Sequence, residues 1–327
     1  MKIPGRVTIA IPTFNRSSLA VRAVRSAISQ SYRDIEVVVS DDVSTDDTAK
    51  RIGEIQDPRL TFYGQPQRLG LERNFDFCLR AATGEFFVLV GDDDVLLPEA
   101  IERLVEALLQ PQPTCASVGM VWCPCRIADA EDSPFWITEG GPDRESPVDL
   151  LVGLWAGRRG PRLSSIMIRT ADAIAVGGFL ERHGHLCDIG TWASAALLHD
   201  WVICVNQPLV QYTNHFGSTT SRSPVRKWQE WAGIVHTDLV AAALRGAGTE
   251  GQEKLRRARN DFISGITLTI LVQTVGRQGW IRNACREVIR SPRALLRPYV
   301  CRRLLNEGWK ILRLRGHSRQ RPHAASA

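Results

Sequence analysis

Three adjacent carboxylates, Asp92, Asp93 and Asp94, follow the apolar run 86–90 after a single glycine, Gly91. Side by side they repel one another, so each needs a cation close by or a raised pKa. A hard divalent cation such as Mg2+ or Mn2+ takes oxygen ligands, commonly one or two carboxylates completed by phosphates and water. The plainer alternative is a solvated acidic turn ahead of the helix that begins near Pro98. A second acidic pair, Asp41-Asp42, closes the run 34–40, and Pro12-Thr13 closes the run 7–11. Polar groups at the ends of three apolar runs suggest the mouth of a site.

The elements that must position these residues are legible from periodicity. VTIAIPTF (7–14), DIEVVVSDD (34–42), LTFYGQ (60–65) and EFFVLV (85–90) read as strands rich in β-branched and aromatic residues. Between them, 17–31 has Leu19, Val21, Val24 and Ile28 near helical spacing, with Ser17 or Ser18 as its cap. A second helix starts at STDD, capped by Ser44 or Thr45, with Asp46 and Asp47 at its positive end. A third covers 71–83 and is closed by Gly84. Strand and helix alternate, which predicts an α/β fold with a mixed, mainly parallel sheet flanked by helices. In such sheets ligands bind beyond the carboxyl ends of the strands, where all three polar clusters fall.

Bulk properties bound the alternatives. The 327 residues are 44% hydrophobic and 23% charged, ordinary for a protein with a real core. No run reaches the roughly 20 apolar residues of a membrane span; FISGITLTILVQTVG (262–276) reads as a buried or interfacial helix. The first residues enter a strand almost at once, which predicts no secretory signal. Of eight cysteines, only Cys123 and Cys125 form a weak metal-like pair, and Cys78 and Cys204 sit in apolar runs. Reduced thiols and a cytoplasmic address follow as expectations. The net charge of +6 is unevenly spread: residues 1–221 hold 20 Lys+Arg against 28 Asp+Glu, residues 222–327 hold 21 against 7. The division predicts an acidic body and a basic extension that meets an anionic surface.

In order and spacing, VTIAIPTFNR, DIEVVVSDDVSTDDT and GLERNFDFCLRAATGEFFVLVGDDDVLLP resemble the GT-A glycosyltransferases of family 2, over residues 3 to about 220. The resemblance implies a Rossmann-like GT-A sheet and an inverting, metal-dependent transfer. The donor would be a nucleotide-diphospho-sugar, UDP- or dTDP-linked, and the acceptor a glycan or lipid-linked hydroxyl in bacterial surface polysaccharide or glycolipid assembly. It implies a nucleotide pocket lined by Pro12, Phe14 and Arg16, with Asp42 accepting from the imide of a uracil-like base. Arg68 or Arg73 would reach base or phosphate, and Asp92 the ribose or diphosphate. Asp93 is the expected ligand of Mg2+ or Mn2+. The family often has Asp-x-Asp here, and Gly91 stands where its first acid would be. Asp188 takes the place of the general base, with His183 and His185 as substitutes; its alternative role is to cap a helix starting near Gly190. His215 would ligate the cation or neutralise the leaving group, or be a loop histidine bonded to backbone. Asp41 has an alternative role as a helix cap, and Arg73 as the partner of Asp76 or Asp93.

The expected organisation is a catalytic domain over 1–220, with a nucleotide-sugar half at 1–110 and an acceptor half at 111–220, and a helical basic region over 221–327. Residues 111–160, rich in Pro and Gly, read as irregular. After them come a strand and short helix over 163–179, a helix over 191–199, and a strand pair broken at Pro208. In 280–315 arginines interleave with Trp280, Leu295, Leu296, Leu304, Leu305, Trp309 and Leu312. This suits either an amphipathic helix on the inner face of the plasma membrane or a helical subdomain packed on the body. Nucleic acid is not an expected partner. A competing reading is a non-catalytic nucleotide-sugar-binding or scaffold protein, kept open by Gly91. Nucleotidyl transfer to a sugar phosphate would need a Gly-rich basic loop after the first strand, which IPTFNRSS lacks.

Overall fold

A computed structural model describes residues 2–110, 116–128, 133–213 and 223–273. The first half alternates as the pattern predicts: β1 (Ile3–Thr13), α1 (Ser17–Ile28), β2 (Ile35–Asp41), α2 (Thr48–Gly53), β3 (Leu60–Gly64), α3 (Leu71–Ala81) and β4 (Gly84–Leu89). A two-residue strand β5 (Val95–Leu96) and α4 (Ala100–Leu109) follow. The next segment is more regular than its Pro and Gly content suggests: β6 (Val118–Trp122), β7 (Cys125–Ala128), β8 (Pro134–Ile137), β9 (Arg144–Glu145) and α5 (Pro147–Trp155). Then come β10 (Ile166–Arg169), α6 (Thr170–Ala175), α7 (Cys187–Ala196), β11 (Trp201–Cys204) and β12 (Val210–Thr213). Three helices complete the described chain: α8 (Val225–Gly246), α9 (Gly248–Arg257) and α10 (Arg259–Gln273).

The central sheet has the order β3-β2-β1-β4-β10-β6-β11-β9, and a smaller sheet the order β5-β12-β7-β8. Strands β3, β2, β1 and β4 are mutually parallel, and β10 enters antiparallel between β4 and β6. Alternation along each strand divides the core between the two faces of the sheet. Val7, Ile9 and Ile11, with Phe86, Val88 and Val90, pack towards α1 and α4. Ala10, Phe87 and Leu89 pack on the other side with Met120, Trp122 and residues of α3, α5 and α7. Both faces are covered, which is why these strands read as unbroken apolar runs.

Several caps differ from expectation. Arg16, not Ser17 or Ser18, stands before α1, with no side-chain cap. Helix α2 begins at Thr48; Ser44 bonds to Asp41, and Asp46 accepts from the Thr48 backbone N–H and hydroxyl. Gly84 opens β4 rather than closing α3, because a Cβ there would lie 2.7 Å from both the Arg6 carbonyl oxygen and the Thr8 nitrogen. The described part of the 262–276 pattern lies in α10, whose Phe262 and Ile270 are buried in the main core. None of the described helices is long and apolar enough to cross a membrane.

Helices α8–α10 are part of the same packing unit as the sheet. Trp228, Ala232, Val235, Leu239 and Ala242 recur at spacings of three or four on α8, and all are buried in the core shared with α5 and α7. Thus the described part of the C-terminal region packs on the body. The stripe at 280–315 and its membrane reading lie outside the described residues.

Candidate active site

The carboxyl ends of β1, β2 and β4 meet because of register. Thr13 pairs with Asp41 across β1 and β2, and the Asp42 N–H donates to the Thr13 carbonyl at 2.9 Å. Ala10 pairs with Leu89, so the chain leaving β4 delivers Gly91–Asp94 beside Thr13. The Thr13 hydroxyl donates to Asp92 at 2.8 Å. Beyond these ends opens a cavity of about 690 Å³.

Most of the expected residues line it: Pro12, Phe14, Arg16, Asp42, Arg68, Asp92, Asp93 and Asp188, together with Asp94 and His185. Asn15 turns the chain with φ of 51°, a left-handed conformation that asparagine tolerates. Its side-chain carbonyl accepts from Thr45 N–H and its own N–H donates to Ser44, so the turn is tied to the loop after β2. This aims Arg16 at the acids. One guanidinium nitrogen lies 2.8 Å from Asp92 Oδ1 and 3.0 Å from Asp93 Oδ2. Burial opposes the Arg16 charge, but the two carboxylates outweigh it and raise its pKa.

The three acids differ in environment. Burial and then the Asp93 charge push Asp92 up to about 6, against the pull of Arg16 and Thr13. Asp94 is 1% exposed; it accepts from the Ser164 hydroxyl and from Thr213 N–H at 3.0 Å. Its pKa is raised well above the ordinary value by burial first and by Asp93 second. Asp94 therefore serves structure, joining β12 to the loop after β4, and Arg22 adds to this by donating to the Asp93 carbonyl and to Thr213. Gly91 has a steric reason: a Cβ there would lie 2.8 Å from Asp93 Oδ1 and 3.1 Å from Asp94 Oδ2.

On the nucleotide side, Asp42 is occupied. Its oxygens accept from Leu69 N–H at 2.6 Å, Gly70 N–H at 3.1 Å and Arg68 Nε at 3.2 Å. A carboxylate has about four acceptor sites, so room remains for one further donor. Arg68 lies over the Phe14 ring, 3.2 Å from its centroid. Arg73 is not among the lining residues; it pairs with Glu181 at 2.8 Å, both exposed, rather than with Asp76 or Asp93. Asp41 holds the turn at Ser44. His215 lies outside the described residues.

The opposite wall was not read from the sequence. Leu154 and Trp155 of α5, Trp192 of α7, Trp228 of α8, and Phe262 and Ile266 of α10 form it. The indole N–H groups of Trp155, Trp192 and Trp228 are buried and have no acceptor among the described residues. The cue for α5 was available: Ser146 before Pro147, with the Ser146 hydroxyl accepting from Asp149 N–H, starts a helix in the segment read as irregular. Helix α8 supplied a cue too, in the spacing of its buried residues.

Asp188 is the second residue of α7, in its first turn, not a cap of a later helix. It is half-buried in the cavity wall, and desolvation raises its carboxyl to about 6 despite backbone hydrogen bonds. The segment before it is clasped by α8. Arg182 and His183 both bond Asp238, the latter at 2.7 Å. Gly184, at φ 52° and ψ −142°, lies against the Trp231 indole, and His185 sits against both Trp228 and Trp231. His183 is buried away from the cavity lining, whereas His185 is part of it, with its pKa lowered chiefly by burial. The cysteines Cys78, Cys123, Cys125, Cys187 and Cys204 are free and buried.

Among the described residues no group of three or more His, Cys, Asp or Glu is arranged to hold a metal ion. The donor chemistry nevertheless fits a hard cation: Asp93 presents carboxylate oxygen to the cavity, and magnesium-type sites commonly take only one or two protein carboxylates.

Comparison with known proteins agrees with the fold. Residues 8–140 match the model of glycosyl transferase family 2. Over 104 residues the chain is 36% identical to the GalNAc(5)-diNAcBac-PP-undecaprenol beta-1,3-glucosyltransferase of Campylobacter jejuni; the match covers 31% of this chain and about a third (34%) of that relative's length. The structure of S. aureus TarS in complex with UDP-GlcNAc superposes with a TM-score of 0.60 at 16% identity, covering 89% of this chain and 92% of that one. A mannosyltransferase from Pyrobaculum calidifontis in complex with GDP-Man and Mn2+ gives 0.51 at 18% identity, covering 93% and 87%. The parallel strands ending on one carboxylate-lined cavity belong to a GT-A fold, and residues 8–140 of it carry the glycosyl transferase family 2 pattern.

Proposed function

We propose that the protein transfers a sugar, with inversion, from a nucleotide-diphospho-sugar to a hydroxyl acceptor. The observation that carries this reading is the meeting of two kinds of acid in one cavity: the Asp92–Asp93 pair at the strand ends, and Asp188, held at a pKa of about 6 on the facing wall. The nucleotide side would be Pro12, Phe14, Arg16, Asp42 and Arg68. Phe14 offers a ring face, and Asp42 one remaining acceptor site for a base N–H, which favours UDP or dTDP. Asp92 faces the ribose and diphosphate. Asp93 would hold Mg2+ or Mn2+, which supplies positive charge to the departing diphosphate when bound.

Asp188 acts on the acceptor. A carboxyl with a pKa near 6 is ionised at neutral pH, yet basic enough to take the hydroxyl proton as the bond to the anomeric carbon forms. In-line displacement then inverts the anomeric centre without a covalent intermediate. The aromatic wall suits a saccharide: ring faces of Trp side chains pack against sugar C–H groups. A relative named for transfer to an undecaprenol-diphosphate-linked glycan supports the same setting, and a lipid-linked glycan is the acceptor we favour. Residues 1–110 would form the donor half and 111–220 the acceptor half, extended by α8 and α10. A cytoplasmic enzyme, peripheral on the inner membrane face through 280–315, completes the reading.

The test is thermal unfolding with UDP, dTDP, GDP or CDP, each with and without Mn2+ or Mg2+. A ligand at 100 times its dissociation constant stabilises by about 2.7 kcal/mol, a shift of several degrees. A metal-dependent shift with one nucleotide supports the proposal. No shift with any of them would favour a non-catalytic protein instead.

A further inference from the structure

We propose that Arg16 is the resident counter-cation of the metal site, and that it exchanges from Asp92 and Asp93 to the donor's diphosphate when the divalent cation binds. The inference rests on the proposed nucleotide-sugar reading and adds to it a coupling between the two ligands.

The geometry is that of a cation bridge. A single Arg16 nitrogen lies 2.8 Å from an Asp92 oxygen and 3.0 Å from an Asp93 oxygen. A divalent ion held by Asp93 would compete with Arg16 for that carboxylate. Two cations cannot share it at contact distance, because their repulsion in a largely desolvated site is strong. The Arg16 side chain is only 19% exposed, so it cannot simply retreat into water. It lines the donor cavity, however, and a guanidinium is well matched to phosphate oxygens. The diphosphate therefore gives Arg16 a new partner at the moment the metal takes its old ones.

The surroundings favour exchange over permanent pairing. Asp94, 1% exposed, is tied to Ser164 and Thr213, and the Arg16 guanidinium contacts Asp92 and Asp93 instead. The first acid of the family's usual motif is replaced by Gly91, where a side chain would press on Asp93 Oδ1. Asp92 and Asp93 both contact one Arg16 nitrogen, and the backbone of Arg16 is fixed by the Asn15 turn and its bonds to Ser44 and Thr45. Only the side chain needs to move. The consequence is reciprocal coupling: metal should bind poorly without diphosphate, and diphosphate poorly without metal.

The experiment is a Mn2+ titration of the full chain, read by loss of the free-ion electron paramagnetic resonance signal, with and without saturating UDP. It compares wild type with Arg16→Ala and Arg16→Gln, two replacements that remove the charge by different chemistry. Circular dichroism identifies folded variants. In the absence of nucleotide, the variants should bind Mn2+ about tenfold more tightly than wild type, and the enhancement of Mn2+ binding by UDP should fall at least about fivefold. Unchanged or weaker Mn2+ binding by a folded variant without nucleotide overturns the exchange. If wild type binds Mn2+ but neither UDP nor GDP alters that binding, the donor reading fails, while the metal-only comparison still decides whether Arg16 competes for the site.

Discussion

Replacing Asp188 with Asn should make the protein more stable and nearly inactive, and the gain should depend on pH. The amide keeps the side-chain volume and still accepts from the backbone N–H of Ile189. What it removes is a carboxylate that desolvation holds at a pKa of about 6 against an ordinary 3.8. Below pH 4 the group is protonated in the folded and unfolded chain alike, and the two proteins should be about equally stable. Between 4 and 6 the unfolded chain ionises first and is favoured, so wild type loses stability as pH rises. At about 1.4 kcal/mol per pH unit the full loss is about 3 kcal/mol, and screening at a half-buried site reduces it to about 2 kcal/mol. Above pH 6 the difference should stay level. Urea unfolding of both proteins at pH 4, 5, 6 and 7 measures it, and taking the difference cancels the contributions of Asp92 and Asp94. Transfer at pH 7 should fall by about 100- to 10,000-fold, and the wild-type rise in kcat/KM with a midpoint near pH 6 should vanish. A stability difference that is flat with pH, or of opposite sign, would refute the desolvation argument. Full activity in the Asn variant would refute the base.

Other residues carry sharper local predictions. Gly184→Ala places a Cβ 2.0 Å from the Trp231 ring at a φ of 52°, so it should destabilise by about 2–4 kcal/mol and slow transfer while leaving UDP affinity within twofold; wild-type unfolding and transfer would show that α8 does not set the Asp188 loop. Asp42→Asn keeps one acceptor oxygen but sets an NH2 against the Leu69 or Gly70 N–H and removes the charge facing Arg68, so it should cost about 1–3 kcal/mol and weaken nucleotide binding about tenfold by calorimetry; unchanged binding would remove Asp42 from the donor pocket. Arg73→Ala breaks only an exposed pair with Glu181, and isothermal titration should find nucleotide affinity unchanged; a large loss would return Arg73 to the site.

The sequence by itself determined the local elements and the acidic strand ends. Buried parallel strands must be apolar on both faces, so VTIAI, VVVS and FFVLV announced β1, β2 and β4 without any knowledge of their neighbours. Because ligands meet such sheets at the carboxyl ends, Thr13, Asp42 and Asp92–Asp93 were marked as cavity residues by position alone. Local signals misled where a tertiary contact decided the outcome. Gly84 looks like a helix terminator, but its smallness is required by the backbone of β1. The segment 111–160 hides short strands whose partners lie far away in sequence, such as β6 between β10 and β11.

Only the tertiary structure decided which charges meet and what walls the other side of the cavity. Arg16 reaches Asp92 and Asp93 from a loop 76 and 77 residues earlier, and Arg73 turns to Glu181 instead; no local rule separates these two arginines. Trp228 and Phe262 come to the site because α8 and α10 bury their apolar stripes on α5 and α7 rather than forming a separate unit. The Asp188 carboxylate, set in an unremarkable polar stretch, acquires its raised pKa from that same packing. Periodicity records which face of an element is buried; the partner that buries it is fixed only when the whole chain has closed around one core.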